Sequence, residues 1–204
     1  MDIGWKDYFS QQRKIIVFSS SLLLLASVLF FFLHFLTFNE TRTGFTFNDP
    51  VLSRFQPIDV SLLTFISTYA FGLSGLAIAL RKPELFIKMI QAYTIMTIIR
   101  IICLYLVPLE PPVNIIPLDD PFLRSSFYSG RENLKDLFFS GHTATVCLFA
   151  FGLEKKKQRL IFTAGTVLVA ALILLQHVHY SIDVIAAPVV SFIAVKLQQK
   201  FNLL

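Results

Sequence analysis

From residue 15 to residue 38 the chain carries no Asp, Glu, Lys or Arg. An uncharged apolar run of that length exceeds the roughly 20 residues that a helix needs to cross a bilayer core. Backbone groups in lipid must be satisfied within the segment, so such a run is helical. It is longer than a signal-peptide core and no small-residue cleavage site follows it, which predicts a retained span. Further apolar stretches at about 60–80, 85–107, 137–153, 160–177 and 180–197 complete six expected helices, the last three being shorter. The expected fold is an all-α, polytopic membrane helix bundle, a single six-span domain over residues 1–204.

Composition agrees, with 55% hydrophobic and only 15% charged residues, against about 25% charged in a soluble domain. The net charge of +5 does not point to nucleic acid, because the basic residues gather in short loops between spans. Lysines and arginines before the first span, around residues 81–88, at 155–159 and at 196–200 make up 12 of the 18. Arg42, Arg54, Arg124, Arg131 and Lys135 occupy the alternate loops, where acidic residues offset them. The positive-inside rule then puts both termini in the cytoplasm. Cys103 and Cys147 fall inside spans and read as packing residues rather than a disulfide.

Two histidine motifs interrupt this apolar background: Ser140-Gly141-His142, and His179-Tyr180-Ser181-Ile182-Asp183. Ionisable residues on membrane segments are costly and need a reason to be there. The expected topology brings both motifs to the exoplasmic face. Asp183 lies four residues after His179, on the same helical face, where a carboxylate fixes the imidazole tautomer and makes its other nitrogen more basic. Ser140 and Gly141 precede a helix start whose N–H groups suit a phosphate, and His142 is placed to donate a proton to a leaving oxygen. Arg100 reads as a phosphate contact rather than a snorkelling charge. Asp136 either tunes the site or caps the fourth helix. The Gly-, Asn- and Pro-containing stretch 43–59 reads as a loop, a plain exoplasmic one in preference to a cover over the site, and His34 as structural.

These residues resemble a known family. Asp136-Leu-Phe-Phe-Ser-Gly-His-Thr143 and His177-Val-His-Tyr-Ser-Ile-Asp-Val184 are similar to the paired signatures of the sphingomyelin synthase family, the lipid-headgroup-transferase branch of the type 2 phosphatidic acid phosphatase superfamily. Arg100-Ile-Ile-Cys-Leu-Tyr-Leu-Val-Pro-Leu-Glu-Pro-Pro112 resembles that family's third helix and its Pro-rich exit. The resemblance implies a catalytic triad of His142, His179 and Asp183, with His179 attacking phosphorus and His142 moving the proton. It implies substrate contacts from Arg100, Asp136, Ser140, Gly141 and Tyr180, and neither metal nor cofactor. Donor and acceptor membrane lipids would be the partners within the bilayer, with a homo-oligomer left open. The setting would be a bacterial inner membrane or a eukaryotic Golgi, endoplasmic reticulum or plasma membrane.

The chain departs from the wider superfamily in two places. No Lys and Arg-Pro phosphate motif precedes the third span, and no Arg stands upstream of the second histidine, where the sequence reads Leu174-Leu-Gln-His-Val178. Both departures favour transfer of a headgroup over hydrolysis, with a lipid phosphate phosphatase as the alternative. Two further readings stand beside these. His142, His177, His179 and Asp183 include enough donors for zinc, although Ser140-Gly141 has no role in a metal-only site. A lipid-binding or transporter-like helical protein needs no chemistry at all.

Overall fold

The computed structural model describes residues 4–118 and 133–201. The described residues contain seven α-helices: α1 (Trp5–Phe9), α2 (Gln12–Glu40), α3 (Ser61–Ala79), α4 (Pro83–Leu106), α5 (Gly141–Gly152), α6 (Lys156–Leu175) and α7 (Ser181–Phe201). Among these, α2, α3, α4, α6 and α7 are long and apolar enough to cross a membrane, which marks the chain as a multi-pass integral membrane protein. The expected fourth span differs. Its helix is α5, with 12 residues, about 18 Å at 1.5 Å per residue. Residues 137–140 were expected within it, but their polar groups have tertiary partners instead: the Phe139 carbonyl accepts from Arg100 and the Ser140 N–H donates to the Asp183 carbonyl.

Short α5 is the centre of the bundle. It packs against α3, α4, α6 and α7, and most of its residues from Thr143 to Ala150 are buried. Phe149 of α5 meets Phe162 of α6 with ring centroids 5.5 Å apart. Small residues bring the surrounding helices close: a Cβ on Gly75 of α3 would lie 2.6 Å from the Phe149 ring, and one on Gly165 of α6 would lie 2.5 Å from Phe71. Lipid supplies no hydrophobic force between helices, so close packing and buried hydrogen bonds must hold them together. One such chain crosses three helices. Gln91 Nε2 of α4 donates to Ser21 Oγ of α2 at 3.0 Å, and Gln198 Nε2 of α7 donates to Gln91 Oε1 at 3.1 Å.

The connections gather at two opposite ends. At the basic end Lys82 pairs with Glu154 at 2.7 Å and Lys14 with Glu84 at 3.1 Å. There the Trp5 indole N–H donates to the Leu80 carbonyl at 2.7 Å, covering the exposed C-terminus of α3. At the other end the strand-like segment around Phe45 forms a parallel bridge with Leu109. Gly44 permits that approach, since a Cβ would lie 2.6 Å from the Leu109 carbonyl carbon. Arg42 donates to the Leu104 and Tyr105 carbonyls at the end of α4. Cys103 and Cys147 are free thiols, as expected of packing residues.

Replacing Gln91 with Ala orphans the Ser21 hydroxyl and the Gln198 amide together. We expect a loss of about 1 kcal/mol, read as a lower unfolding midpoint in detergent; an unchanged midpoint would show that the chain carries no stability.

Candidate active site

The second motif folds around the junction of α6 and α7. Helix α6 ends in a reverse turn in which the His177 N–H donates to the Leu174 carbonyl at 3.0 Å and the Val178 N–H to the Ile173 carbonyl at 3.1 Å. This is the Schellman arrangement, in which the residue after the cap takes a left-handed conformation. His177 occupies that position with φ 56°. Glycine is the usual resident, because a Cβ costs free energy there.

Beyond the turn, His179 and Asp183 form a buried dyad. The imidazole is 3% and the carboxylate 0% exposed, with Nδ1 and Oδ2 3.3 Å apart. Oδ2 also accepts the Tyr180 backbone N–H at 3.0 Å. Asp183 Oδ1 is buried and has no partner among the described residues, an arrangement that ordinarily costs about 1–3 kcal/mol. With Nδ1 turned to the carboxylate, Nε2 is the nitrogen left for chemistry.

The first motif meets the second through the backbone. Ser140 N donates to the carbonyl of Asp183 at 3.1 Å, so the starts of α5 and α7 lie side by side. Ser140 is the N-cap of α5, its hydroxyl 3.1 Å from Thr143 Oγ1. Gly141 and half-buried His142 are the first two helical residues, where N–H groups have no intrahelical acceptor.

Arg100 is brought to the same place from α4. It is 7% exposed and donates through Nε and Nη2 to Asp136 Oδ1, at 3.2 and 2.8 Å, and through Nη1 to the Phe139 carbonyl. Asp136 therefore pairs with Arg100, and the capping position of α5 falls to Ser140. A Cβ on residue 141 would lie 2.6 Å from Arg100 Nη1, so the guanidinium rests directly on the glycine of the motif. A cation and the positive end of a helix thus adjoin at one point. The Asp136 carboxylate offsets the guanidinium charge at that point.

The segment expected to be a plain loop is a wall of the site. Asp49 Oδ2 accepts the Ser181 N–H at 2.6 Å and so caps α7 from a distant part of the chain, while Oδ1 accepts from Val51 and Leu52. Burial raises the pKa of Asp49, but these hydrogen bonds outweigh it and hold the carboxyl below its ordinary range. Phe47 stacks on Tyr180 with centroids 4.2 Å apart, and the Tyr180 hydroxyl donates to the Glu110 carbonyl at 2.9 Å. Burial pushes the Tyr180 phenol up. Glu110 in turn receives the Gly44 N–H at 2.8 Å and the Lys135 ammonium at 2.9 Å. The loop's Gly, Asn and Pro content showed irregular backbone; nothing in it signalled that Asp49 would reach Ser181.

His34 stands apart from these groups on α2, its Nδ1 2.8 Å from the Phe30 carbonyl one turn earlier. Among the described residues no three His, Cys, Asp or Glu side chains converge as a metal-binding set.

Part of this region matches a known family. Residues 135–200 match the family described as PAP2 superfamily C-terminal. The match takes in Asp136 and both histidine motifs and stops short of Arg100. No curated protein and no solved structure matches the chain. Similarity to the PAP2 superfamily points to a membrane enzyme of lipid phosphates, of the phosphatase or phosphotransferase kind.

Two substitutions check this geometry. Gly141→Ala forces the Arg100 guanidinium off the start of α5, and we expect a loss of about 1–3 kcal/mol in thermal unfolding. Asp49→Asn removes an acceptor charge at the start of α7 and should cost about 1 kcal/mol. Because the native pKa lies below 3.8, the wild-type advantage should be complete above that pH and fade as pH falls through the native value. An advantage that grew on acidification would contradict the cap.

Proposed function

We propose that the chain is an integral membrane phosphotransferase. It moves a phospho-alcohol headgroup from a glycerophospholipid to a ceramide- or diacylglycerol-like acceptor. The observation that carries this reading is the Ser140 N–H to Asp183 carbonyl bond of 3.1 Å, which joins the buried His179–Asp183 dyad to the helix start that bears His142 and against which Arg100 of α4 packs. Such a junction offers a nucleophile, a proton carrier and an anion cradle within one site.

In the first half-reaction His179 Nε2 attacks phosphorus and forms a P–N bond. The bond from phosphorus to the diacylglycerol oxygen breaks, and that oxygen takes a proton from His142. In the second, His142 accepts the proton of the incoming hydroxyl, whose oxygen attacks phosphorus while the P–N bond breaks. Asp183 holds Nδ1 throughout and stabilises the charged ring. Arg100, with the N–H groups of Gly141 and His142, neutralises the phosphate oxygens. Asp136 positions Arg100, Ser140 sets the start of α5, and Tyr180 closes the floor.

In this reading α5 and its extended approach form a sixth crossing. The lysine-rich end is cytoplasmic, with both termini there, and the site opens at the exoplasmic face. A phosphatase reading uses the same residues with water in place of the acceptor alcohol.

Purified full-length protein in vesicles, supplied with a donor lipid labelled in its phospho-alcohol headgroup, should transfer label to added ceramide or diacylglycerol. His179→Ala, His142→Ala and Asp183→Asn should each lower the rate by about 10²–10⁴-fold while folding normally, and His179→Ala should carry no acid-labile label. Release of inorganic phosphate from phosphatidic acid at full rate without an acceptor would decide for the phosphatase. Loss of activity with chelator and its return with zinc would overturn the covalent mechanism.

A further inference from the structure

Helix α2 is the most apolar of the five long helices and lies outside the family match, which begins at residue 135. Its last turn nonetheless carries a buried amide. Asn39 is 2% exposed, and both ends of its side chain are engaged. Nδ2 donates to the Lys135 carbonyl at 2.8 Å, and Oδ1 accepts Arg42 Nη1 at 3.2 Å. The partners fix which end is which, because a carbonyl only accepts and a guanidinium only donates.

Each partner leads to the candidate site. Residues 133–137 have no regular secondary structure, so their main-chain groups depend on partners from elsewhere. For Lys135 these come from the end of α2 and the chain just beyond it. Glu40 Oε2 accepts its N–H at 3.1 Å, Asn39 donates to its carbonyl, and the Arg42 carbonyl accepts its ammonium at 2.7 Å. The Lys135 carbonyl and the Asp136 N–H belong to one peptide plane. The bond from Asn39 therefore sets the base of the Asp136 side chain, whose Oδ1 accepts from Arg100 Nε and Nη2. The second route runs through Arg42. Its Nη1 also donates to the Leu104 carbonyl at 3.1 Å, about one turn beyond Arg100 on α4. One amide thus clamps together the two elements whose meeting creates the Asp136–Arg100 pair.

We propose that Asn39 is a positioning residue for the candidate site, acting through Lys135 and Asp136 on the Arg100 guanidinium. The proposal rests on the phosphotransferase reading for what Arg100 does, which is to meet the phosphate of the donor lipid. That contact forms before any bond breaks, so a misplaced guanidinium weakens binding more than it slows the chemical steps. The first long span is thereby part of the site, although it lies outside the family match.

Binding and turnover are read side by side. Full-length protein in detergent is titrated with inorganic phosphate by calorimetry, and KM and kcat for the labelled donor lipid are measured in vesicles. Asn39→Leu, close in volume, removes both amide bonds. Asn39→Asp keeps the Arg42 partner but turns an oxygen toward the Lys135 carbonyl, and decides the matter if the leucine variant does not fold. Each should weaken phosphate binding about tenfold and raise KM to match, with kcat within about twofold of wild type. In Arg100→Lys protein, whose ammonium lacks the fork that Asp136 orients, the same Asn39 substitutions should bring no further loss of phosphate affinity. A purely structural amide would lower the unfolding midpoint and leave phosphate affinity and KM unchanged, and that result overturns the proposal. So does an equal further loss in Arg100→Lys protein, or no phosphate binding by the wild type. If phosphate binding responds as expected but no label moves between lipids, the phosphotransferase reading fails and the positioning role stands. If label moves and neither variant alters KM or phosphate affinity, that reading stands and the positioning role fails.

Discussion

Asp183 is the point on which the motif end of the molecule turns. Its carboxylate faces His179 and receives the Tyr180 N–H, while its carbonyl receives the N–H of Ser140. Side chain and main chain of one residue thus orient the imidazole, form the turn into α7 and dock the start of α5. Because the carboxylate is fully buried, solvent does not weaken these bonds, and losing one acceptor would leave donors stranded in a low-dielectric interior. The positions of His142, Gly141 and Arg100 relative to the dyad all follow from that docking. The site is a consequence of two helix starts sharing one aspartate.

Much of the framework was legible from the residues. The uncharged run at 15–38 becomes α2, and the stretches at 60–80 and 85–107 become α3 and α4 to within a few residues. Such runs are readable because a membrane segment satisfies its own backbone and needs no partner to be helical. The His179 and Asp183 spacing was equally readable, since four residues along a helix put two side chains on one face. The fourth span was only partly so. Hydropathy made Leu137, Phe138 and Phe139 look helical, but the Phe139 carbonyl and Ser140 N–H bind Arg100 and Asp183 instead. Those bonds join residues 39 and 43 positions apart in the chain, beyond the reach of any local pattern.

The same limit explains what was missed. Asp49 caps a helix that begins 132 residues later, and a loop rich in turn formers gives no sign of where its carboxylate will go. Arg100 and Asp136 were each singled out, but their pairing and the contact of the guanidinium with Gly141 depend on how α4 packs beside α5. His177 was visible as half of a His-x-His pattern. Its left-handed backbone was not, because glycine or asparagine is what normally announces such a turn.

The end of the bundle opposite the histidines has an optical consequence. Trp5, the single tryptophan, is fixed by its bond to Leu80 and set among Tyr8, Phe9, Phe18 and Phe86. All intrinsic indole emission therefore originates at one fixed point of the protein. Lipids brominated at graded positions along their chains would quench it according to the depth of that point, giving the protein a built-in ruler for how the basic end sits in a bilayer.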